Sequence, residues 1–224
     1  MKAIRRTVAV ALVVAVAAVW ALPLQAGYLS NSYSSYAYSS LGHGPWYGTV
    51  PYSNSSLNGT VDYVVFGPGE FALAFPPSTT SYHPPANELV YAYQVHSTGS
   101  SNTSALNVDI IASHLYDSIG SFPLDAGGLP PVGESFVPSG PLVYAKWNYI
   151  EPGITTGNSS VGLAFASPNT PEMLVGTLGD SGLGANIALP SPSTLMVPVP
   201  EPSTAILLAA SAILLGLRRR FWCR

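Results

Sequence analysis

Glu88-Leu-Val-Tyr-Ala-Tyr-Gln-Val-His96 is the stretch that decides the fold. Leu89, Tyr91, Tyr93 and Val95 share one face at a period of two; Val90, Ala92, Gln94 and His96 share the other. β-branched and aromatic residues dominate it, which fits a pleated strand and no helical stripe. The chain on either side repeats the pattern. Thr60 to Phe66 reads as a strand, Gly67-Pro68-Gly69 as a turn, and Glu70 to Phe75 as the returning strand of a hairpin, with Phe71, Leu73 and Phe75 on one face. Pro76-Pro77 stops it. After a polar turn at Ser97 to Thr103, Leu106, Val108 and Ile110 alternate with Asn107 and Asp109, as a half-buried strand does.

A Gly- and Pro-rich loop is expected from about Asp117 to Pro141, with one short strand at Ser135 to Val137. Val143, Ala145, Trp147 and Tyr149 then line one face of a strand, with Tyr144 and Lys146 on the other. Val161, Leu163 and Phe165 alternate next, and Glu172 to Leu178 and Ala185 to Leu189 give the last two strands. About eight short strands and no long helical stripe between the chain ends predict an all-β fold: a single antiparallel β-sandwich of jelly-roll or Ig-like type over residues 59–189. The expected core is Phe66, Phe71, Leu73, Phe75, Tyr91, Tyr93, Val95, Val108, Ile110, Trp147, Leu163 and Phe165. Residues 27–58, rich in Ser and Tyr, read as a leader, a loop or loosely held arm with room for an edge strand, whose tyrosines pack on the domain; residues 190–199, with Pro190, Pro192 and Pro198, read as a semi-rigid stalk.

The ends differ in kind from the middle. Lys2, Arg5 and Arg6 precede an apolar run from Thr7 to Ala21, and Leu22-Pro-Leu-Gln-Ala26 follows. That is the pattern of a secretory signal peptide over residues 1–26, cut between Ala26 and Gly27 by signal peptidase. At the other end, Pro200-Glu201-Pro202 leads into an apolar run from Ala205 to Leu217 and then Arg218-Arg219-Arg220. Ser203 to Leu217 spans about 22 Å as a helix, short of a bilayer core of roughly 30 Å. The arginines snorkel and Phe221 and Trp222 suit the interface, so a short membrane helix is expected, with the arginines as a cytoplasmic stop.

Charge and cysteine usage limit the middle. Of 8 Lys and Arg in the chain, only Lys146 lies in residues 27–200, against ten acids, a net charge of −9 for that segment. A surface with one cation cannot track a phosphate backbone, which excludes nucleic acid as a partner. The one cysteine, Cys223, lies beyond the arginines, so the exported segment has neither a disulfide nor a thiol nucleophile.

The tripartite order of residues 200–224 resembles the PEP-CTERM sorting signal of bacterial surface proteins. The resemblance implies an exosortase-type membrane enzyme as the partner that cleaves near Pro200-Glu201-Pro202, with the membrane as a transient anchor. The body also resembles, loosely and over residues 61–171, the exported domains of that family: Tyr91-Ala-Tyr-Gln-Val95, then Trp147, Gly157-Asn-Ser-Ser160, Val161 to Ala166 and Ser167-Pro-Asn-Thr-Pro171. It brings no catalytic residues with it.

Four features invite chemistry and each has a plainer reading. Gly179-Asp180-Ser181-Gly182 resembles the nucleophile loop of chymotrypsin-like proteases, but Leu183 replaces the next glycine and His114 lacks its usual surroundings; a tight turn is the simpler reading. His43, His83, His96 and His114 fit no metal-ligand spacing. The acids hold no Asp-x-Asp-x-Asp-Gly run for Ca²⁺. The sequons at Asn54, Asn58, Asn102 and Asn158 arise easily in a Ser-rich chain. No catalytic, cofactor or metal residues are expected. The reading that follows is a non-enzymatic protein of the cell surface or extracellular matrix. The alternatives are a carbohydrate-binding or adhesion module with a platform around Tyr144, Trp147 or Trp46 and an extracellular polysaccharide as partner, and, third, a secreted hydrolase.

Overall fold

The computed structural model describes residues 29–197 apart from 41, 125, 126, 181 and 182. The expected signal and membrane helices lie outside the described residues. Among the described residues no helix is long and apolar enough to cross a membrane.

The chain is all-β, in antiparallel sheets. Helix α1 (Leu29–Tyr33) opens it, followed by the short strands β1 (Ser39–Ser40) and β2 (His43–Pro45). One five-stranded sheet contains β3 (Tyr47–Asn54), β4 (Leu57–Phe66), β5 (Leu89–Ser97), β10 (Gly162–Ser167) and β7 (Asp117–Phe122), in that order. The other runs β12 (Leu183–Met196), β11 (Asn169–Asp180), β6 (Ala105–Ile111), β9 (Leu142–Asn148) and β8 (Gly133–Ser139). Helix α2 (Glu70–Ala74) lies between β4 and β5.

Both sheets feed one cluster of buried side chains. Val61, Tyr91, Tyr93, Val95, Leu163 and Phe165 come from the first sheet; Leu106, Val108, Ala145, Trp147, Leu178 and Leu189 come from the second. Three fully buried aromatics carry a polar tip, and each tip reaches backbone of the opposite sheet. Trp147 Nε1 donates to the Gly120 carbonyl at 3.0 Å, Tyr91 Oη donates to that of Asn169 at 2.8 Å, and Tyr93 Oη donates to that of Pro190. Burial holds both phenols well above the usual tyrosine range.

A second cluster covers the other face of the first sheet. Phe71 and Phe75 pack with Leu29, Val64, Phe66, Tyr82, Val90, Ala92, Phe122 and Ala164. The middle of the first sheet is therefore buried on both faces: β5 and β10 are buried at every position, while the edge strand β3 exposes alternate residues. In β6 and β9, buried and half-buried residues alternate strictly, the mark of a sheet with one open face.

Four expectations are corrected. Glu70 to Phe75 is a helical turn, not a strand: Phe71 and Phe75, four apart, share one helix face and pack at 5.0 Å between ring centroids, while Leu73 is 68 % exposed. Six residues are too few for periodicity to separate the two patterns, and Ala72 and Ala74 favour the helix. The leader is not loose. Tyr47–Asn54 pairs along its length with Leu57–Phe66, so the boundary at 58 and 59 falls inside β4, and Trp46, Tyr52 and Leu57 are buried. Tyr52 lies over Gly59 directly opposite, where an added Cβ would meet the His96 carbonyl and the phenol, so only glycine fits. The Gly- and Pro-rich loop contains β7, which the Ser and Gly of Asp117-Ser-Ile-Gly-Ser-Phe122 conceal. The stalk is mostly strand: β12 pairs with β11 as far as Met196 opposite Asn169.

Eleven of the twelve expected core residues are buried, all but Leu73. Trp147→Ala removes a side chain with no exposure and leaves the Gly120 carbonyl without its donor. It is expected to destabilise the fold by about 3–5 kcal/mol, read by denaturant unfolding; a change below about 0.5 kcal/mol would contradict the packing described.

Candidate functional site

The sorting residues Pro200, Glu201 and Pro202, the stop residues Arg218, Arg219 and Arg220, and the cleavage pair Ala26 and Gly27 lie outside the described residues.

Of the protease-like residues, Ser181 and Gly182 lie outside the described residues. β11 and β12 are paired as far as Asp180 opposite Leu183. His114 is buried, with Nδ1 against the Pro192 carbonyl and 3.8 Å from Glu172. Pro192 pairs with Pro171 at the far end of that hairpin. At about 3.3 Å per residue, the histidine lies roughly 30 Å along the hairpin from the Asp180–Leu183 pair.

A different buried set was not legible in the sequence. Asp62 and His96 sit on neighbouring strands, with Asp62 Oδ2 3.6 Å from His96 Nε2. Thr49 Oγ1 donates to Asp62 Oδ1 at 2.6 Å, and His96 Nδ1 meets Ser159 Oγ at 2.6 Å. Beside them Gln94 Nε2 donates to the Ser160 carbonyl, and Gln94 Oε1 accepts from the Leu29 amide. Asp62 is wholly buried and His96 nearly so. The residue types are those of a nucleophile relay, but the carboxylate and imidazole are beyond hydrogen-bond length and the carboxylate is sealed from solvent. What the set does is mechanical: it ties the 153–160 loop and helix α1 to the middle of the first sheet. Register is the signal that could have found it, because Asp62 pairs with Gln94 and Thr60 with His96.

Two surface clefts flank the first sheet. One of about 450 Å³ is lined by Gly127, Gly128, Leu129, Gly153, Ile154 and neighbours, with no titratable side chain. The other, about 390 Å³, lies over Tyr82, His83, Gly120 and Glu134. Among the described residues no group of three or more His, Cys, Asp or Glu could hold a metal ion.

Of the three aromatic platforms considered, Trp147 and Trp46 are buried, and the Trp46 ring is stacked on His43 at 3.8 Å. Tyr144 alone stays on an open surface. It borders a depression of about 310 Å³ with Asn107, Val137, Lys146 and Thr177. Asp109 lies directly opposite Tyr144 in the register, and burial pushes its carboxyl above the usual aspartate range. No protein-family model matches the chain, and neither does any curated protein or solved structure.

Two outcomes follow. Serine-directed probes should leave Ser181 unlabelled; stoichiometric labelling lost in Ser181→Ala would overturn the turn reading. Asp109 has a raised folded pKa, so its ionisation costs stability as pH rises, a cost absent below the unfolded value of about 3.9. Asp109→Asn should therefore raise the melting temperature at pH 7 and change it little near pH 3; the reverse pattern would show the charge to be favourable in place.

Proposed function

We propose that this chain is an exported bacterial protein of the cell surface or extracellular matrix, without catalytic activity of its own, delivered by a signal peptide and a PEP-CTERM-like tail. The observation that carries the reading is the fixed order Pro200-Glu201-Pro202, apolar run, Arg218 to Arg220, at the opposite end from a basic and apolar leader. Cationic flanks at both ends stay in the cytoplasm, which puts residues 27–200 outside. Glu201 cannot enter hydrocarbon cheaply and marks the outer boundary, while the two prolines keep the backbone there out of a helix and open to a protease. The partners on this reading are signal peptidase, an exosortase-type enzyme and, before processing, the membrane. The body is a β-sandwich on the same reading, supported by the apolar cluster that its two sheets share and by the three aromatic hydrogen bonds between them.

Mass spectrometry of the exported protein tests it. The mature form should lack residues 1–26 and the apolar tail with Cys223, and replacing Pro200, Glu201 and Pro202 by alanine should leave an uncleaved, membrane-held chain. Recovery of an intact Arg218–Arg224 terminus from exported wild-type protein would make the tail a permanent anchor and end the sorting proposal.

A further inference from the structure

The outer face of the β12-β11-β6-β9-β8 sheet is left open by the described residues, and its side chains are ordered by register. Asn186 lies opposite Thr177, Thr177 opposite Asn107, Asn107 opposite Lys146 and Lys146 opposite Ser135. That is one row of hydrogen-bonding side chains crossing all five strands. At about 4.8 Å between strands it runs roughly 19 Å. The neighbouring row holds Asp109 opposite Tyr144 and Tyr144 opposite Val137, with Val175 opposite Ala188 further along. Val137 and Val175 are exposed.

The row is unspent. Thr177 Oγ1 donates to Asn186 Oδ1, but the side chains of Asn107, Tyr144, Lys146 and Ser135 make no hydrogen bond or ion pair among the described residues. Among the described residues Asp109 Oδ1 is covered and has no hydrogen-bond partner, so it takes no part in the open row.

A strip of amide, hydroxyl and amine groups beside an aromatic ring and two valines matches a sugar chain, whose edges carry hydroxyls and whose faces carry C–H groups. The length of the row calls for an extended chain rather than a single ring. Its charge settles which kind. Lys146 is the only cation of residues 27–200, in a segment of net charge −9, so an anionic polymer is repelled. We propose that this face binds a neutral polysaccharide laid across the strands, with Asn186, Thr177, Asn107 and Lys146 bonding its hydroxyls and Tyr144 stacking under a ring. The inference does not rest on the export reading: loss of binding leaves tail processing untouched, and the converse holds.

The test is affinity electrophoresis of the full chain in a detergent without a sugar headgroup, through gels holding xyloglucan, glucomannan or mixed-linkage β-glucan, with alginate as the anionic control. At least one neutral glycan should retard the protein equally at low and high salt. Tyr144→Ala and Lys146→Met should each weaken retention by about tenfold or more, while Ser78→Ala, on an exposed loop elsewhere, should not. Unfolding curves screen each variant; if Tyr144→Ala fails to fold, the double change of Asn107 and Thr177 to alanine takes its place. No retardation by any of the three neutral glycans, or retention by alginate alone, overturns the proposal. So does a wild-type chain whose sedimentation falls to that of a smaller species on Tyr144→Arg, because a second copy would then cover the face.

Discussion

The structure depends on a cluster of aromatic rings to which both sheets contribute. Tyr91 and Phe165 lie side by side across β5 and β10, stacked at 5.1 Å and 4°, and Trp147 approaches Phe165 from the other sheet at 6.5 Å. Such rings supply large apolar areas, but Tyr and Trp bring polar tips that cannot be left dry. Each tip here ends on a carbonyl of the opposite sheet, so the same side chains that drive the sheets together also fix how far one can slide along the other. An apolar cluster of equal volume would bind the sheets without setting that alignment.

The sheets then diverge in what covers their other faces. Helices α1 and α2 and the residue after α2 bring Leu29, Phe71 and Phe75 to the back of the first sheet. Asp62, Gln94 and His96 lie on the same face, bonded to Thr49, Ser160, the Leu29 amide and Ser159, with Asp62 Oδ2 left without a hydrogen-bond partner among the described residues. The second sheet receives no such cover among the described residues. Its outer side chains are hydrophilic in the row through Asn107 and Lys146 and mixed in the next. The middle of one sheet thus lies inside the fold, while the other keeps one face open among the described residues.

How much of this was legible in the sequence depended on how many faces each strand buries. β6 and β9 alternate cleanly, because one face meets the core and the other meets water, and both were read with the correct faces. β5 was found from its β-branched and aromatic content, but its sequence could not say that both faces are buried. Asp117 to Phe122 was missed because its Ser and Gly break the apolar alternation, although Gly120, the acceptor of Trp147, sits where a Cβ would meet the Tyr82 ring. Glu70 to Phe75 misled because three aromatic or aliphatic residues at alternate positions satisfy a short strand and one helical turn alike. Tyr144 was a candidate from the start, but its row partners come from four other strands and become neighbours only through register.

The chain also shows what replaces covalent staples. Small domains can rely on disulfides, yet the described segment has no cysteine, and among its described residues both ion pairs involve histidine. Its loops are sewn down by hydroxyls and amides instead. Ser160 Oγ accepts from the Val95 amide, Ser104 Oγ donates to the Gly179 carbonyl, Tyr52 Oη donates to that of His96, and Asn158 Nδ2 donates to Thr155. Each such bond contributes about 1 kcal/mol net, and none depends on redox state or much on salt. Charge enters the interior of the described residues at Asp62 and His96, while the loops are held by neutral groups. The abundance of Ser, Thr and Asn, which in the sequence suggested only loops, is therefore part of what holds the fold together.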